Sequence, residues 1–376
     1  MKLKILQNKL KKGLNIVERI STKSLTLPIL NNISIKAEKN FLNLSSTDLE
    51  IGIRWWGLAK IEKEGAIVIP VRVFSNFVGL LPEEPINLKV ENQTLIIASE
   101  KYSTKIKGFN PEEFPIIPQI TEGESIVIDS LSLCQGLNQV VQIPILSSAR
   151  PEISGIYFSF QKDLIKIVAT DSFRLGEKKL FLKETLPLRQ EYSLILPQKA
   201  AKEIINIFSE KERKLKIYFS ANQILFESSM EETTHPKIQL TSRLIEGEYP
   251  DYRAIFPKKS ETQIIVKKNE FLNQLRTASL FASKMNEVRL KTDIKKGEIE
   301  IFSQNPDLGE YRSFLSGKIS GKEVEVSFNY RFLVDGLLNI KSSEVVFELS
   351  GEEGPSVLKP VADPSYVYLV MPIKAS

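Results

Sequence analysis

Residues 191–228 read EYSLILPQKAAKEIINIFSEKERKLKIYFSANQILFES, and this stretch decides the fold. A short apolar segment ends at Pro197, a segment with helical periodicity follows, and two segments of alternating apolar and polar residues complete the stretch. The pattern predicts a strand, a helix and a two-stranded hairpin, in that order.

The same pattern occurs at 65–99 and 323–359, where Pro70 and Asn329 take the position of Pro197. The preceding half also repeats. Helix-period segments at 6–20, 130–143 and 267–281 are each followed by a predicted three-strand meander. The second strand of each meander ends at one of three dipeptides, Thr47-Asp48, Thr170-Asp171 and Asn305-Pro306. We therefore expect three repeated α+β domains, 1–121, 122–256 and 257–376, each with two helices packed on antiparallel sheets.

The composition excludes most catalytic and metal chemistry. The chain has one histidine, His235, and one cysteine, Cys134, so the usual Cys/His zinc sites and the Ser-His-Asp and Cys-His arrangements cannot be assembled. Neither a phosphate-binding loop nor a dinucleotide-binding motif is present. No segment has the length and apolarity of a membrane span or a signal peptide. We expect a cytoplasmic protein with no cofactor, no metal, no membrane partner and no enzymatic activity.

Thr170-Asp171 followed by Arg174 resembles a catalytic site at the end of a strand. Asp48 is its counterpart in a repeat without the Phe173-Arg174 pair, which favours a structural turn in which the aspartate accepts backbone amides. Two alternatives stay open at this point. One is a carboxylate-dependent hydrolase that uses Asp171, and the other is a repeat-built adhesin or scaffold.

Basic residues recur at the predicted helix starts. Arg72, Lys199 and Arg331 each lie two positions after the break in their repeat. The helix dipole disfavours a cation in the first turn, so a recurring cation there suggests an anionic partner. Six similar helices with basic or amide side chains on one side are suited to a polyanion that is contacted through its phosphates, without base recognition.

Four segments resemble the bacterial sliding clamp family, the beta subunit of DNA polymerase III. They are LTLPILNNISI with STDLEIGI (25–35 and 46–53), VATDSFRLG (168–176), EGEYPDYRAIFP (246–257) and VYLVMPIK (367–374). The resemblance covers essentially the whole chain, in the family's order. It implies three clamp-type domains, and a head-to-tail dimer that closes into a ring around double-stranded DNA.

The resemblance also implies a processivity factor that tethers the polymerase III catalytic subunit, the clamp loader, other polymerases and repair proteins. The residues implied near the DNA path are Lys12, Lys23, Arg72, Arg150, Lys199 and Arg276. For ring closure we expect Tyr102 and Ile106 of one copy to meet Leu280 and Phe281 of the other.

A groove for short partner peptides is implied at the middle corner, the YPDYR segment and the C-terminal strand. Its expected residues are Ile153, Thr170, Phe173, Arg174, Leu175, Pro250, Ile255, Asn329, Phe332, Val357, Leu369, Met371, Pro372, Ile373 and Lys374. Arg174 and Lys374 are expected at its rim, as anchors for acidic or carbonyl groups. Phe173, Ala254 and Phe332 depart from the family's usual residues and are expected to alter peptide preference.

Overall fold

The computed structural model describes residues 1–21, 26–120, 124–188 and 190–374. The α-helices of these residues, in chain order, are α1 (Gln7–Val17), α2 (Val71–Leu80), α3 (Ser130–Val140), α4 (Gln198–Phe208), α5 (Lys268–Ala278) and α6 (Tyr330–Leu338). None of these helices is long and apolar enough to cross a membrane.

The strands of the first repeat are β1 (Lys2–Leu6), β2 (Asn32–Glu38), β3 (Phe41–Thr47), β4 (Ile51–Leu58), β5 (Lys60–Lys63), β6 (Gly65–Pro70), β7 (Pro85–Glu91), β8 (Thr94–Ala98) and β9 (Ser103–Lys107). Those of the middle repeat are β10 (Ser125–Asp129), β11 (Gly155–Phe160), β12 (Leu164–Thr170), β13 (Arg174–Phe181), β14 (Tyr192–Pro197), β15 (Lys214–Phe219), β16 (Gln223–Ser229) and β17 (Pro236–Arg243). Those of the third are β18 (Thr262–Lys267), β19 (Glu287–Asp293), β20 (Glu298–Asn305), β21 (Gly309–Ser316), β22 (Lys318–Gly321), β23 (Glu325–Asn329), β24 (Glu344–Leu349), β25 (Ser356–Pro360) and β26 (Tyr366–Val370).

The repeat predicted from the sequence is confirmed at the level of single elements. Each of the six helices begins at the residue that follows a strand, so the described part of the chain contains six copies of a strand joined directly to a helix. The second strand of each predicted meander ends at Thr47, Thr170 or Asn305, as expected.

Residue contacts divide the chain into two compact units. The first comprises Met1–Ser132, Leu186–Leu188 and Glu203–Leu244, and the second comprises the remaining described residues. The first unit contains a five-stranded sheet, β5-β1-β7-β8-β9, and an eight-stranded sheet, β10-β15-β16-β17-β4-β3-β2-β6. The second contains a nine-stranded sheet, β14-β11-β12-β13-β26-β25-β24-β18-β22, and a four-stranded sheet, β21-β20-β19-β23.

Both large sheets join strands of adjacent repeats. In the first unit β17 pairs antiparallel with β4, and in the second β13 pairs antiparallel with β26. The middle repeat therefore contributes strands to both units. The domain boundaries placed near residues 121 and 256 stay a prediction, because continuous hydrogen-bonded sheets pass from one repeat to the next.

The helices are amphipathic and bury one stripe of apolar residues. In α1 this stripe contains Leu10, Leu14 and Val17, at the spacing that places side chains on one helix face. Gly13 on the same helix lies against the ring of Trp55, and a Cβ atom at Gly13 would come within 2.5 Å of Trp55 Cε3. Trp55 is 4% exposed, so this tryptophan belongs to the core of the first unit.

Candidate functional site

The corners after β3 and β12 have the same hydrogen bonds. In the middle repeat Asp171 Oδ1 accepts the amides of Phe173 (3.0 Å) and Arg174 (2.9 Å), while Thr170 Oγ1 donates to the Arg174 carbonyl (2.8 Å). In the first repeat Asp48 Oδ1 accepts the amides of Glu50 (3.1 Å) and Ile51 (2.7 Å). Leu49 and Ser172, the residues after the two aspartates, both have a φ of 77°. The Thr-Asp corner is therefore a structural turn.

This geometry contradicts the hydrolase alternative. Asp171 is 7% exposed, and both of its carboxylate oxygens already accept hydrogen bonds, since Oδ2 accepts from Arg174 Nε at 2.9 Å. Both oxygens of this buried carboxylate thus hold the turn and the Arg174 side chain, and the hydrolase alternative requires an accessible carboxylate within reach of a water. The middle corner thus carries no catalytic acid or base at Asp171.

Arg174 lies under the corner and not at an exposed rim. Its side chain is 8% exposed and forms ion pairs with Asp171 at 2.9 Å and with Asp335 of α6 at 2.5 Å. The guanidinium carbon is 4.6 Å from the ring centroid of Phe332. Burial by itself lowers the pKa of the Arg174 guanidinium, but interactions with Tyr368, Asp335 and Asp171 outweigh burial and raise that pKa above its ordinary value. The expectation that Arg174 lies at the rim of an open groove is therefore wrong, because the side chain is buried.

The C-terminal strand joins the same corner. β26 pairs with β13 so that Val370 lies opposite Arg174, and the amide of Met371 donates to the Phe173 carbonyl at 2.8 Å. Further along, the amide of Ile373 donates to the Ser327 carbonyl of β23 at 2.8 Å. The last described residues are therefore held by backbone hydrogen bonds on both sides.

An apolar cluster lies beneath this junction. Its buried members are Val168, Leu175, Tyr252, Val357 and Leu369, and its partly buried members are Tyr157, Tyr249, Phe256, Val367 and Met371. The Tyr157 and Tyr249 rings are stacked with their centroids 4.9 Å apart. Tyr252 donates its hydroxyl hydrogen to Glu177 at 2.7 Å, and burial followed by this hydrogen bond raises the pKa of the tyrosine.

The expected peptide-binding residues divide by exposure. Ile153, Thr170, Leu175, Val357 and Leu369 are buried. Phe173 is 60% exposed and Ile255 is 43% exposed. Those of intermediate exposure are Pro250, Asn329, Phe332, Met371, Pro372 and Ile373, while Lys374 is exposed. The structure thus places all of the expected residues in the second unit. There the buried residues support an accessible apolar set, which consists of Phe173, Ile255, Met371 and Pro372.

Sequence reasoning did not single out Asp335, Tyr157, Tyr249 or Tyr252. Tyr249 and Tyr252 lie within the quoted EGEYPDYRAIFP segment, so the motif itself was the available signal. No local signal joins Asp335 to Arg174, because the two residues are 161 positions apart in the chain.

The basic helix starts are confirmed. Arg72, Lys199 and Arg331 are each the second residue of their helix, and all three are exposed. Within the described helices, only α5 has an acidic residue, Glu270, in its first turn. Together the six helices contain nine lysines and arginines and three acids, a net charge of +6, whereas the whole chain carries +5. The positive charge of the protein is therefore concentrated on the helices.

The other residues expected near DNA are placed as follows. Lys12 on α1 and Arg276 on α5 are exposed. Arg150 is exposed but lies on no α-helix; it pairs with Glu152 at 3.3 Å and donates to Ser172 Oγ at 3.4 Å, next to the middle corner. Lys23 lies outside the described residues. The assignment of these residues to a DNA path stays a prediction.

The residues expected at a ring-closing contact lie on or beside edges of sheets. Tyr102 is 49% exposed and precedes β9, an edge strand of the five-stranded sheet. Ile106 on β9 is 7% exposed, so its side chain belongs to the core of its own unit. Leu280 is 67% exposed, and Phe281 stacks on Tyr311 of the edge strand β21 with centroids 6.2 Å apart.

Three family models match the chain in succession. Residues 1–118 match the N-terminal domain of the DNA polymerase III beta subunit, residues 129–251 its central domain and residues 253–374 its C-terminal domain. The matches cover nearly the whole sequence and follow the order of the three repeats.

Curated relatives and solved structures agree with these matches. The beta sliding clamp of Bacillus subtilis (strain 168) is 29% identical over 385 aligned positions, with 100% of both chains covered. That of Staphylococcus aureus (strain Mu50 / ATCC 700699) is 29% identical over 359 positions, with 93% of both covered. The crystal structure of the Bacillus subtilis DNA polymerase sliding clamp superposes with a TM-score of 0.92 at 28% identity, covering 100% of both chains. The chain has the three-domain clamp fold and belongs to the DNA polymerase III beta subunit family of sliding clamps.

Proposed function

We propose that this protein is the sliding clamp of DNA polymerase III, a non-catalytic processivity factor that encircles duplex DNA. The observation that carries the proposal is the sixfold strand-to-helix unit whose helices hold a net charge of +6 in a chain of +5. Phosphate contacts from such helices attract any duplex equally, because the phosphate backbone carries no sequence information directly. The protein acts in the cytoplasm, where the chromosome is replicated.

Encirclement explains how weak, non-specific contacts support processive synthesis. A closed ring leaves a duplex only at an end or by opening, so its residence time does not depend on tight binding. We propose a head-to-tail dimer in which the first repeat of one copy meets the third repeat of the other. Exposed Tyr102 beside β9 and Leu280 beside β21 support this arrangement, since unpaired edge strands favour pairing with another chain.

The experiment that tests encirclement compares nicked circular DNA with the same DNA linearised. Protein is placed on the circle with a clamp loader, and retention after gel filtration is measured before and after a single restriction cut. We expect retention on the circle and rapid loss after the cut. Equal retention on both forms would show ordinary surface binding and contradict the ring.

We also propose that the accessible apolar set at the middle corner binds short peptides of the polymerase III catalytic subunit, the clamp loader, other polymerases and repair proteins. Phe173, Ile255, Met371 and Pro372 are exposed or partly exposed apolar residues on a backbone fixed by the corner and by β26. Exposed apolar surface of this kind, beside exposed Lys374, suits an apolar peptide with an acidic group.

Substitution of Met371 with aspartate tests this surface. Met371→Asp places a charge against the apolar cluster, and we expect it to abolish binding of a peptide from the polymerase catalytic subunit. Phe181→Asp is the matched control, because Phe181 is 63% exposed at the far end of β13. Unchanged peptide binding by Met371→Asp, measured by fluorescence anisotropy, would rule out this surface.

A further inference from the structure

An acidic residue at the sixth position of a helix forms an ion pair in each unit, but the basic partner differs between the two units. In the first unit Glu203, the sixth residue of α4, pairs with Arg19 at 2.6 Å. In the second unit Asp335, the sixth residue of α6, pairs instead with Arg174 of the corner. The residue of the first corner that corresponds to Arg174 is Ile51, which is 1% exposed. The first corner therefore forms with a buried isoleucine at the position that Arg174 occupies in the middle corner.

A buried arginine at this position is costlier than isoleucine. A buried charge is unfavourable unless it is paired and hydrogen-bonded, and Arg174 requires two carboxylates for that purpose. Since Ile51 shows that the corner does not need a cation, Arg174 serves a purpose other than closing the turn.

What Arg174 adds is a fixed connection between the corner and α6. Its guanidinium lies 4.6 Å from the Phe332 ring centroid, and the Phe332 ring stacks with that of Phe173 at 6.4 Å between centroids and 24° between planes. Phe173 itself is 60% exposed, while its backbone amide is held by Asp171. Arg174 thus supports a pair of aromatic rings whose outer member is exposed.

We propose that Arg174 is a positioning residue, which holds Phe332 and Phe173 in place for a bound peptide through its pairing with Asp335, and that it does not bind a carboxylate of the peptide. This inference rests on the proposed peptide surface. The local charges support it, because the two carboxylates already neutralise the guanidinium and leave it with no net attraction for an acid. An acidic group of a peptide is instead bound by Lys374, which is exposed.

The test uses two labelled peptides, a segment of the polymerase catalytic subunit that contains one aspartate and the same segment with asparagine in its place. We expect Arg174→Gln and Asp335→Asn each to weaken the binding of both peptides by the same factor, roughly 2- to 30-fold, the range for cation–π contacts from exposed to desolvated sites. Arg174→Lys keeps the charge but loses the planar contact with Phe332, so we expect it not to restore binding.

Phe332→Ala combined with Arg174→Gln provides a second readout. Because the arginine acts through the ring, the double variant should bind no more weakly than the worse single variant. Arg19→Gln is the matched control, since it breaks the corresponding pair in the first unit, and we expect unchanged affinity for both peptides.

Two results would overturn the inference. One is a loss in Arg174→Gln that is larger for the aspartate peptide than for the asparagine peptide, and the other is additivity with Phe332→Ala. If Arg174→Gln fails to fold, Asp335→Asn decides, because the Asp335 side chain is 42% exposed and the substitution leaves the Arg174–Asp171 pair intact. Failure of the wild-type protein to bind either peptide would instead remove the peptide surface itself, and this inference with it.

Discussion

Neutralising Arg72 and Lys199 tests whether the basic helix starts contact phosphates. Both residues are exposed at the second position of their helices, where the helix dipole opposes a cation. Arg72→Gln with Lys199→Gln removes two positive charges per chain, and therefore four from a two-chain ring. Each phosphate contact contributes about −0.9 to the slope of log Kobs against log salt concentration. If all four residues contact phosphate, the slope should become shallower by about 3.6.

The assay is fluorescence anisotropy on a short open-ended duplex, onto which a ring threads without a loader, over a series of salt concentrations. The matched control is Lys162→Gln with Lys318→Gln, which removes the same charge from exposed lysines outside the helices. A general loss of positive charge would change both slopes alike. If the slope of the helix variant is unchanged, or if it changes no more than that of the control, the assignment of these residues to the DNA path is wrong.

Three further predictions concern the corners, the packing and the dimer. Asp48→Ala removes an acceptor of two backbone amides, so it should lower the free energy of unfolding by about 1–2 kcal/mol without changing peptide affinity, as measured by urea denaturation and anisotropy. Gly52→Ala would bring a Cβ atom against Ile117 Cγ2 and should lower the free energy of unfolding by about 1–3 kcal/mol. Gly79→Ala has open space around its Cβ and should raise the free energy of unfolding by about 0.5–1 kcal/mol through a more stable α2. Similar effects of the two substitutions in urea denaturation would contradict this packing. Leu280→Asp should shift a dimer toward monomer in analytical ultracentrifugation. Leu146→Asp should not, because Leu146 lies outside the expected contact, although it is 87% exposed against 67% for Leu280.

Much of the fold could be predicted because the repeat makes local signals reinforce one another. Pro70, Pro197 and Asn329, which mark the break in the three repeats, are each the last residue of a strand and directly precede a helix. The predicted strand ends at Thr47, Thr170 and Asn305 agree with the structure to the residue. Asp171 could be recognised as a structural residue because Asp48 stands in the same turn without the neighbouring Phe-Arg pair.

The candidate site was predicted by position better than by role. The C-terminal strand, the YPDYR segment and the middle corner do come together in the second unit. Arg174 was expected at the rim, but it is buried between Asp171 and Asp335. Ile106, which was expected at the ring-closing contact, is 7% exposed, and its side chain packs in the core of its own unit. Exposure depends on which chain segments pack above a residue, and neither residue type nor spacing contains that information.

The sequence by itself determined the threefold repeat, the six helices, the concentration of positive charge on the helices and the family, because each is a property of residue order and local periodicity. Only the tertiary structure decided that Arg174 pairs with an acid 161 positions away, that Phe173 stacks on Phe332, and that β13 and β26 share one sheet. These contacts join distant segments, so their free energy arises from packing and charge pairing that exist only once the chain is folded.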